Sequence, residues 1–153
     1  MNKVIIREAR LKDVKSIHGL IVELSIYEKA QNEVIVTVEE LAIDGFGPDP
    51  AYKCIVAEKD NEVVGFALYY MRYSTWKGRC VYLEDFLVKN EMRGQGIGDL
   101  LFKEMLSICK KLKVRLITWQ VLDWNEPAIR FYNKYNSVFD GEWLNGKIYF
   151  NYQ

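Results

Sequence analysis

The sequence predicts an α+β fold in which helices pack on a mixed sheet. Three consecutive segments, at residues 52–58, 63–73 and 79–88, are rich in β-branched and aromatic residues and are separated by turn signals. Two further segments, at residues 14–29 and 97–113, repeat apolar residues at the three-and-four spacing of amphipathic helices. The predicted order of elements is β-α-α-β-β-β-α-β-α-β-β, which mixes helices with strands that run in succession.

The N-terminal part predicts a short strand followed by two helices. Val4-Ile5-Ile6 is typical of a strand, and the first helix is expected to end near Lys29. Thr37 is expected to cap a second, short helix, because its hydroxyl can accept a hydrogen bond from a helix amide. Gly45 and the Gly47-Pro48 pair are expected to end that helix. The three β segments then follow as an antiparallel meander.

The C-terminal part predicts a strand, a helix and a hairpin. The strand runs from Val114 to Leu122, and Asn125 is expected to cap the helix. A hairpin is expected to join residues 141–144 to residues 147–150, because Asn145-Gly146 is a strong signal for a two-residue turn.

Length and composition favour one globular domain with no dominant charge. The chain has 153 residues, half of them hydrophobic, and its 21 basic residues equal its 21 acidic residues. No overall field therefore attracts nucleic acid or an anionic membrane. No stretch approaches the roughly 20 apolar residues that span a bilayer, and no secretory leader pattern is present. We expect a cytoplasmic protein without nucleic-acid or membrane partners.

The cysteines and the histidine predict no metal site. Cys54, Cys80 and Cys109 lie far apart without C-x-x-C spacing, and His18 has no companion at ligand spacing. The cysteines are expected to be buried free thiols.

The most informative motif is the glycine-rich stretch Arg93-Gly94-Gln95-Gly96-Ile97-Gly98, which precedes a helix. It lacks the GxxxxGK[ST] spacing of a Walker loop, and Asp99 stands where a dinucleotide fingerprint needs its third glycine. Amides without side chains in front of them, at a helix N-terminus, nonetheless form an anion site. The loop therefore predicts binding of a pyrophosphate. The alternative is a loop whose glycines only turn the chain.

The same stretch resembles the acetyl-CoA-binding motif R/Q-x-x-G-x-G/A of the GNAT superfamily of N-acetyltransferases, whose order of elements matches the predicted one. Further segments narrow the resemblance to the spermidine/spermine (diamine) N-acetyltransferase family. These segments are Ile26-Tyr27-Glu28, Asp44-Gly45-Phe46-Gly47, Val64-Gly65-Phe66-Ala67, Tyr69-Tyr70, Tyr82-Leu83-Glu84-Asp85-Phe86, Trp124-Asn125-Glu126-Pro127 and Phe131-Tyr132. The resemblance implies a single N-acetyltransferase domain over residues 1–153, with a mostly antiparallel twisted sheet flanked by helices.

The resemblance also implies that acetyl-CoA is the co-substrate, bound where the strand of residues 83–88 separates from the next parallel strand. Backbone groups of that strand would face the pantetheine and the acetyl carbonyl, and loop amides would hold the pyrophosphate. The implied cofactor-binding residues are Phe86, Leu87, Val88, Arg93, Gly94, Gln95, Gly96, Ile97, Gly98, Asp99, Asn125, Ala128 and Tyr132. A structural role for residues 86–88 in the sheet core is compatible with this one.

Two catalytic groups follow from the resemblance. Glu84 matches a group that deprotonates or orients the amine, which is an ammonium ion at neutral pH because its pKa is near 10.4. Strand alternation predicts that Glu84 and Asp85 point to opposite faces, so we expect only one of them to face the substrate. Tyr132 aligns with the tyrosine that protonates the departing thiolate. The alternatives are a surface ion pair for Glu84 and a core aromatic for Tyr132.

The expected amine-binding residues combine carboxylates with aromatic rings, which suit an ammonium group. They are Tyr27, Glu28, Trp76 and Glu84. Gln31, Asn32 and Ser74 stand where mammalian polyamine members of the family are acidic. A less acidic channel attracts a long polycation less, which favours a shorter amine or a thialysine-like amino acid.

The sequence thus predicts an N-acetyltransferase that acts by direct transfer in a ternary complex on a primary amine of a small diamine, polyamine or thialysine-like amino acid. No cysteine lies near the matched catalytic positions, which argues against an acyl-enzyme. The alternatives are acetylation of a protein or peptide and a non-catalytic sensor of coenzyme A. A homodimer is also implied by the resemblance.

Overall fold

The computed structural model describes residues 3–152, which form two compact units that divide after Gln120. The first unit contains a five-stranded sheet in the order β1-β2-β3-β4-β5. Neighbouring strands pair antiparallel from β1 to β4, whereas β5 pairs with β4 in parallel. This mixed, mostly antiparallel sheet confirms the predicted α+β class. The strands are β1 (Ile5–Glu8), β2 (Lys53–Lys59), β3 (Glu62–Ser74), β4 (Gly78–Val88) and β5 (Ile117–Trp119).

The helices begin at the predicted capping residues where the sequence offers them. Thr37 accepts a hydrogen bond from the Glu40 amide at 3.1 Å, and the Glu40 carboxylate accepts one from the Thr37 amide, which forms a capping box. Asn125 Oδ1 accepts from the Ala128 amide at 3.3 Å. The helices are α1 (Val14–Tyr27), α2 (Val38–Phe46), α3 (Ile97–Leu112) and α4 (Glu126–Asn133), of which α4 lies in the second unit. No helix among residues 3–152 has the length and apolar character needed to cross a membrane.

The two faces of the sheet are covered by different helices. On one face, α1 and α2 pack on a buried cluster drawn from β2, β3 and β4. That cluster includes Val14, Ile17, Leu20, Leu41, Cys54, Val56, Phe66, Leu68 and Leu87. On the other face, the ring of Phe102 in α3 meets the rings of Phe86 and Trp119 edge-on, at centroid distances of 5.8 and 5.7 Å. Side chains of β4 therefore alternate between two separate cores.

The parallel pairing between β4 and β5 is short. It joins Val81, Tyr82 and Leu83 to residues 117–119, so β5 covers less than the predicted range 114–122. From Glu84 to Val88, β4 continues beside β3 after its described pairing with β5 has ended. The parallel pairing thus ends at the point where the resemblance expects a bound cofactor.

The C-terminal tail does not form the predicted hairpin. Residues 137–152 contain no strand, and the side chains of Leu144, Ile148 and Phe150 are 97%, 83% and 74% exposed. A two-stranded hairpin is marginal in water unless another layer covers its apolar face. A favourable turn dipeptide alone is therefore insufficient to order this segment as two strands.

Gly65 lies where β3 passes beneath α3, and it offers a test of that packing. A Cβ atom at this position would stand 2.9 Å from the Leu87 carbonyl oxygen and 3.1 Å from Leu101 Cδ1. We expect Gly65→Ala to lower the free energy of unfolding by about 1–3 kcal/mol, because the backbone contact must be relieved by a shift. Urea denaturation measures the change.

The matched control is Gly19→Ala, because a Cβ atom at Gly19 in α1 would meet nothing within 4 Å. That variant should gain about 0.5–1 kcal/mol from helix propensity. Equal stability of Gly65→Ala and the wild type would contradict the close packing of α3 on the sheet.

Candidate active site

Three parts of the first unit meet around Arg93: the end of α1, the end of β4 and the glycine loop. Arg93 Nε donates to the Val88 carbonyl oxygen at 3.1 Å. Its guanidinium carbon lies 5.3 Å from the centroid of the Tyr27 ring, within the range of a cation–π contact. Arg93 therefore joins the predicted substrate residue Tyr27 to the predicted cofactor loop.

The glycine loop has the open backbone that its sequence predicts. Gly94 and Gly96 have φ angles of 76° and 79°, a left-handed conformation that favours glycine. A Cβ atom at either position would meet nothing within 4 Å, so the backbone conformation, and not crowding, explains these glycines. Gly96 precedes α3 as its N-cap and supplies no side-chain cap. The positive end of the helix dipole thus faces the loop without a capping side chain.

Other loop residues differ in how they could serve an anion. Gln95 Oε1 accepts a hydrogen bond from Lys59 Nζ at 2.9 Å, which ties the loop to the turn between β2 and β3. Ile97, the first residue of α3, has a buried apolar side chain, so its backbone is its only group suited to a polar ligand. Asp99 places a carboxylate in the first turn of α3, where its negative charge opposes a bound phosphate. Binding by the amides of residues 93–99 remains a prediction.

β4 contains a bulge at Glu84. Leu83 stands opposite Tyr69 and Asp85 opposite Leu68, so Glu84 is an extra residue without a partner position on β3. Directly paired residues share a face, which puts Asp85 on the α1 side with Leu68. Tyr70 lies on that same side, and its hydroxyl donates to Glu84 Oε2 at 3.1 Å. Glu84 and Asp85 therefore point to one face.

The expectation from strand alternation, that these two carboxylates point to opposite faces, is wrong. A bulge opposes two residues to one and so interrupts the alternation of side chains. Both carboxylates are consequently available to the same ligand, and Glu84 does not occupy the site alone.

Asp85 carries the most perturbed carboxyl of this region. Burial raises its pKa to about 6, and the negative charges of Glu84 and Glu28 act in the same direction. Glu28, at the end of α1, also has a pKa raised by burial. We refer to Glu28, Glu84 and Asp85 as the acidic trio. Sequence reasoning missed Asp85 as a site residue, although an aspartate within the apolar run Leu83 to Val88 was the available signal.

Two tyrosines border the acidic trio. The rings of Tyr70 and Tyr82 lie 5.3 Å apart, and the Arg72 guanidinium lies 5.5 Å from the Tyr82 centroid. Burial raises the pKa of Tyr70 to about 12, and the charge of Glu84 adds to the effect. The Tyr70 phenol therefore keeps its proton at neutral pH and acts as a hydrogen-bond donor to Glu84. Tyr70 was not among the predicted site residues.

Trp76 is not brought to the acidic trio within the chain. It lies in the turn between β3 and β4 and is 81% exposed. Glu84 lies six positions along β4 from Gly78, which stands beside this turn, and this corresponds to about 20 Å at roughly 3.3 Å per residue. A substrate role for Trp76 remains a prediction that one copy of the chain does not support.

The second unit holds the remaining predicted residues. Asn125 is buried and caps α4 through its bond to Ala128, while Tyr132 is 7% exposed in the same helix. The Tyr132 ring meets Phe131 at a centroid distance of 5.5 Å, and its carbonyl oxygen accepts from the Ser137 hydroxyl. Capping and aromatic packing are thus observed, and both are compatible with roles in binding and catalysis.

An open cleft of about 540 Å³ lies elsewhere, between α1 and the turn that joins β2 to β3. Arg7 lines it and bridges Asp13 and Glu58, with hydrogen bonds of 2.7 and 2.6 Å. No predicted site residue lines this cleft, and the partly buried Arg7 guanidinium is already paired with carboxylates. Among residues 3–152, no group of three or more His, Cys, Asp or Glu is arranged to hold a metal ion.

Comparisons with known proteins agree on one family. The family model described as "Acetyltransferase (GNAT) family" matches residues 21–136. A thialysine N-epsilon-acetyltransferase from Bos taurus is 44% identical over 137 residues, covering 84% of this chain and 81% of that protein. A human spermidine/spermine N(1)-acetyltransferase-like protein 1 is 34% identical over 134 residues, which cover 83% of this chain but 19% of that protein.

Solved structures share the fold at lower identity. An aminoglycoside N-acetyltransferase in complex with CoA superposes with a TM-score of 0.77 at 15% identity. The match covers 97% of this chain and 96% of that one. At this identity the likeness concerns the fold alone.

The raised pKa of Asp85 predicts a pH-dependent gain in stability for Asp85→Asn. Below about pH 4 the carboxyl is neutral whether the chain is folded or unfolded. Above about pH 6 the folded protein must hold the charge in a buried site. We expect the variant to gain roughly 1–2 kcal/mol at pH 7.5, since one unit of pKa corresponds to about 1.36 kcal/mol and solvent screens part of it.

Urea denaturation at pH 4 and pH 7.5 measures this difference. The matched control is Asp60→Asn, because Asp60 is exposed in a turn with a φ of 54°, a conformation that asparagine tolerates. The control should change stability by less than about 0.5 kcal/mol at both pH values. A gain for Asp85→Asn that is equal at pH 4 and pH 7.5 would contradict the buried charge.

Proposed function

The chain belongs to the acetyltransferase (GNAT) family, and on that premise we propose that it transfers the acetyl group of acetyl-CoA to a primary amine of a small molecule. The acceptor that we propose is a small diamine or a thialysine-like amino acid. The observation that carries the proposal is the acidic trio, which lies on β4 and at the end of α1 beside the glycine loop. Concentrated negative charge suits an ammonium group.

Two observations support a short acceptor. Three relatives named thialysine N-epsilon-acetyltransferase, from Bos taurus, Sus scrofa and Mus musculus, are 41–44% identical to the chain. Gln31, Asn32 and Ser74 are neutral, so these three positions add no negative charge that would attract a longer polycation. Tyr27 and Glu28 would contact the acceptor at the end of α1.

We propose that acetyl-CoA is held by backbone groups at the separation of β4 from β5. The loop of residues 93–99 offers amides and the open N-terminus of α3 for the pyrophosphate. Residues 86–88 would face the pantetheine along the part of β4 that extends beyond its pairing with β5. Asn125 and Ala128 would add contacts from the start of α4.

The reaction that we propose is direct transfer in a ternary complex. The acceptor's ammonium group loses a proton to a carboxylate, and Glu84 deprotonates or orients it. The free amine attacks the thioester carbonyl carbon, a C–N bond forms, and the C–S bond breaks. Tyr132 donates its hydroxyl proton to the departing thiolate, because a phenol holds its proton at neutral pH and yields it to a strong base.

We also propose that the protein acts in the cytoplasm as a homodimer. The exposed tail supports a second copy, since Trp143, Leu144 and Ile148 are 72%, 97% and 83% exposed. Apolar surface of this kind is typical of a protein–protein contact. In a dimer, Trp76 of one copy could lie near the acidic trio of the other copy, whereas within one chain it lies far from that trio.

A panel of acceptors tests the proposed function. The purified chain is assayed with acetyl-CoA and putrescine, spermidine, thialysine or a lysine-containing peptide, and release of free coenzyme A is measured. We expect turnover with thialysine and putrescine and a lower kcat/KM with spermidine. Turnover with the peptide alone would favour protein acetylation. Binding of coenzyme A by calorimetry without turnover of any amine would favour a sensor.

Replacement of Tyr132 tests its assignment as the acid. We expect Tyr132→Phe to lower kcat by about 100-fold or more, since general acid catalysis contributes roughly 10²–10⁴-fold. Its affinity for acetyl-CoA, measured by calorimetry, should stay within about twofold. The matched control is Tyr73→Phe, at an exposed tyrosine of β3, which should leave kcat unchanged. Wild-type turnover in Tyr132→Phe would remove the assignment.

A further inference from the structure

Asp85 has no task in the mechanism above, although its position is unlike that of an ordinary sheet residue. It stands opposite Leu68, which in turn stands opposite Cys54, so these residues form one row across β4, β3 and β2 on the α1 side. Leu68 and Cys54 belong to the buried core. A carboxyl at the end of a buried apolar row is costly unless it is neutral, paired or used.

The groups that face Asp85 are acids and neutral donors. Glu28 faces it from α1, Glu84 and Tyr82 from β4, and Cys54 from β2. No arginine or lysine is among the charges that act on it, and no hydrogen bond to its carboxyl is present within residues 3–152. No positive side chain of residues 3–152 therefore offsets this negative charge. A bound ammonium group could supply the missing positive charge.

Glu84 and Asp85 differ in exposure and in hydrogen bonding. The Glu84 side chain is exposed, and one of its oxygens already accepts a hydrogen bond from Tyr70. Asp85 is partly buried, and its oxygens have no such donor. The bulge brings both carboxylates to the same face, where the nitrogen of one ammonium group could contact each of them.

We propose that, within the proposed acetyl transfer on which this inference rests, Asp85 is the carboxylate that accepts the acceptor's proton, while Glu84, held by Tyr70, positions the ammonium group beside it. A general base works best when it titrates near the working pH. Burial and two negative neighbours raise the pKa of Asp85 to about 6, close to that condition.

Each proton that leaves nitrogen has a defined acceptor. One N–H bond of the ammonium ion breaks and an O–H bond forms on Asp85. The amine lone pair then forms the C–N bond, and the C–S electron pair departs with sulfur. Sulfur takes the Tyr132 hydroxyl proton, and the second proton on nitrogen restores that hydroxyl. Asp85 returns its proton to solvent before the next turnover.

The test is the pH dependence of kcat/KM between pH 5 and 10 for the wild type, Asp85→Asn, Glu84→Gln and the control Asp60→Asn. The wild type and the control should lose activity below about pH 6. Asp85→Asn should lose about 10²–10⁴-fold at pH 7. Its rate should rise with pH toward the acceptor's pKa near 10.4, because more acceptor then arrives without its proton.

Glu84→Gln should behave differently from Asp85→Asn. It should raise KM, and its acid limb should move to lower pH, because loss of one negative neighbour lowers the pKa of Asp85. A structural role for Asp85 would reproduce neither pattern. The variant Asp85→Glu, which keeps a carboxyl at this position, should recover at least part of the rate at pH 7.

Three results would overturn the assignment. The first is an Asp85→Asn enzyme whose rate stays within threefold of the wild type with its acid limb intact. The second is loss of that limb in Glu84→Gln. The third, which does not depend on any variant folding, is an Asp85 carboxyl that titrates near pH 4 in a carbon-13 NMR titration of the wild type. Absence of turnover by the wild type with every amine would instead overturn the proposed function and this role with it.

Discussion

The central constraint on this structure is that β4 must serve as an inner strand of the sheet and as the wall of the proposed site. As an inner strand it pairs with β3 over ten positions, from Gly78 to Val88, and packs against cores on both faces. As a wall it must expose backbone on the side of β5 and side chains on the side of α1. The short pairing with β5 and the bulge at Glu84 meet these two demands separately. The positions of the strands then determine where the helices and the glycine loop that connect them lie.

Electrostatics distinguishes the two faces of that strand. On the α3 side, Phe86 contacts Phe102, and the region is held by aromatic packing. On the α1 side, Glu84 and Glu28 raise the pKa of Asp85, and no arginine or lysine of residues 3–152 is among the charges that act on it. Elsewhere the buried carboxylate of Asp13 is paired, because Arg7 forms salt bridges with Asp13 and Glu58. In the proposed function, these carboxylates serve a ligand that brings positive charge.

Much of the fold could be predicted because it rests on local signals. The caps at Thr37 and Asn125, the glycine conformations at Gly94 and Gly96, and the antiparallel meander of β2, β3 and β4 all follow from short-range rules. The face of Glu84 could not be predicted, because a bulge depends on register against a partner strand that alternation ignores. The hairpin prediction for the C-terminal tail was wrong for a related reason. Its turn signal is local, but a hairpin needs an apolar layer that residues 137–152 do not supply themselves.

The register of β3 against β4 also separates folding from chemistry at one position. Tyr69 pairs with Leu83, and Leu68 with Asp85, so the strands would align in full if residue 84 were absent. The sheet is complete without it. A shorter chain with Leu83 joined directly to Asp85 would keep each of those pairs and regain regular alternation. Residue 84 is therefore surplus to the architecture, and its side chain is open to selection for what it does to a ligand.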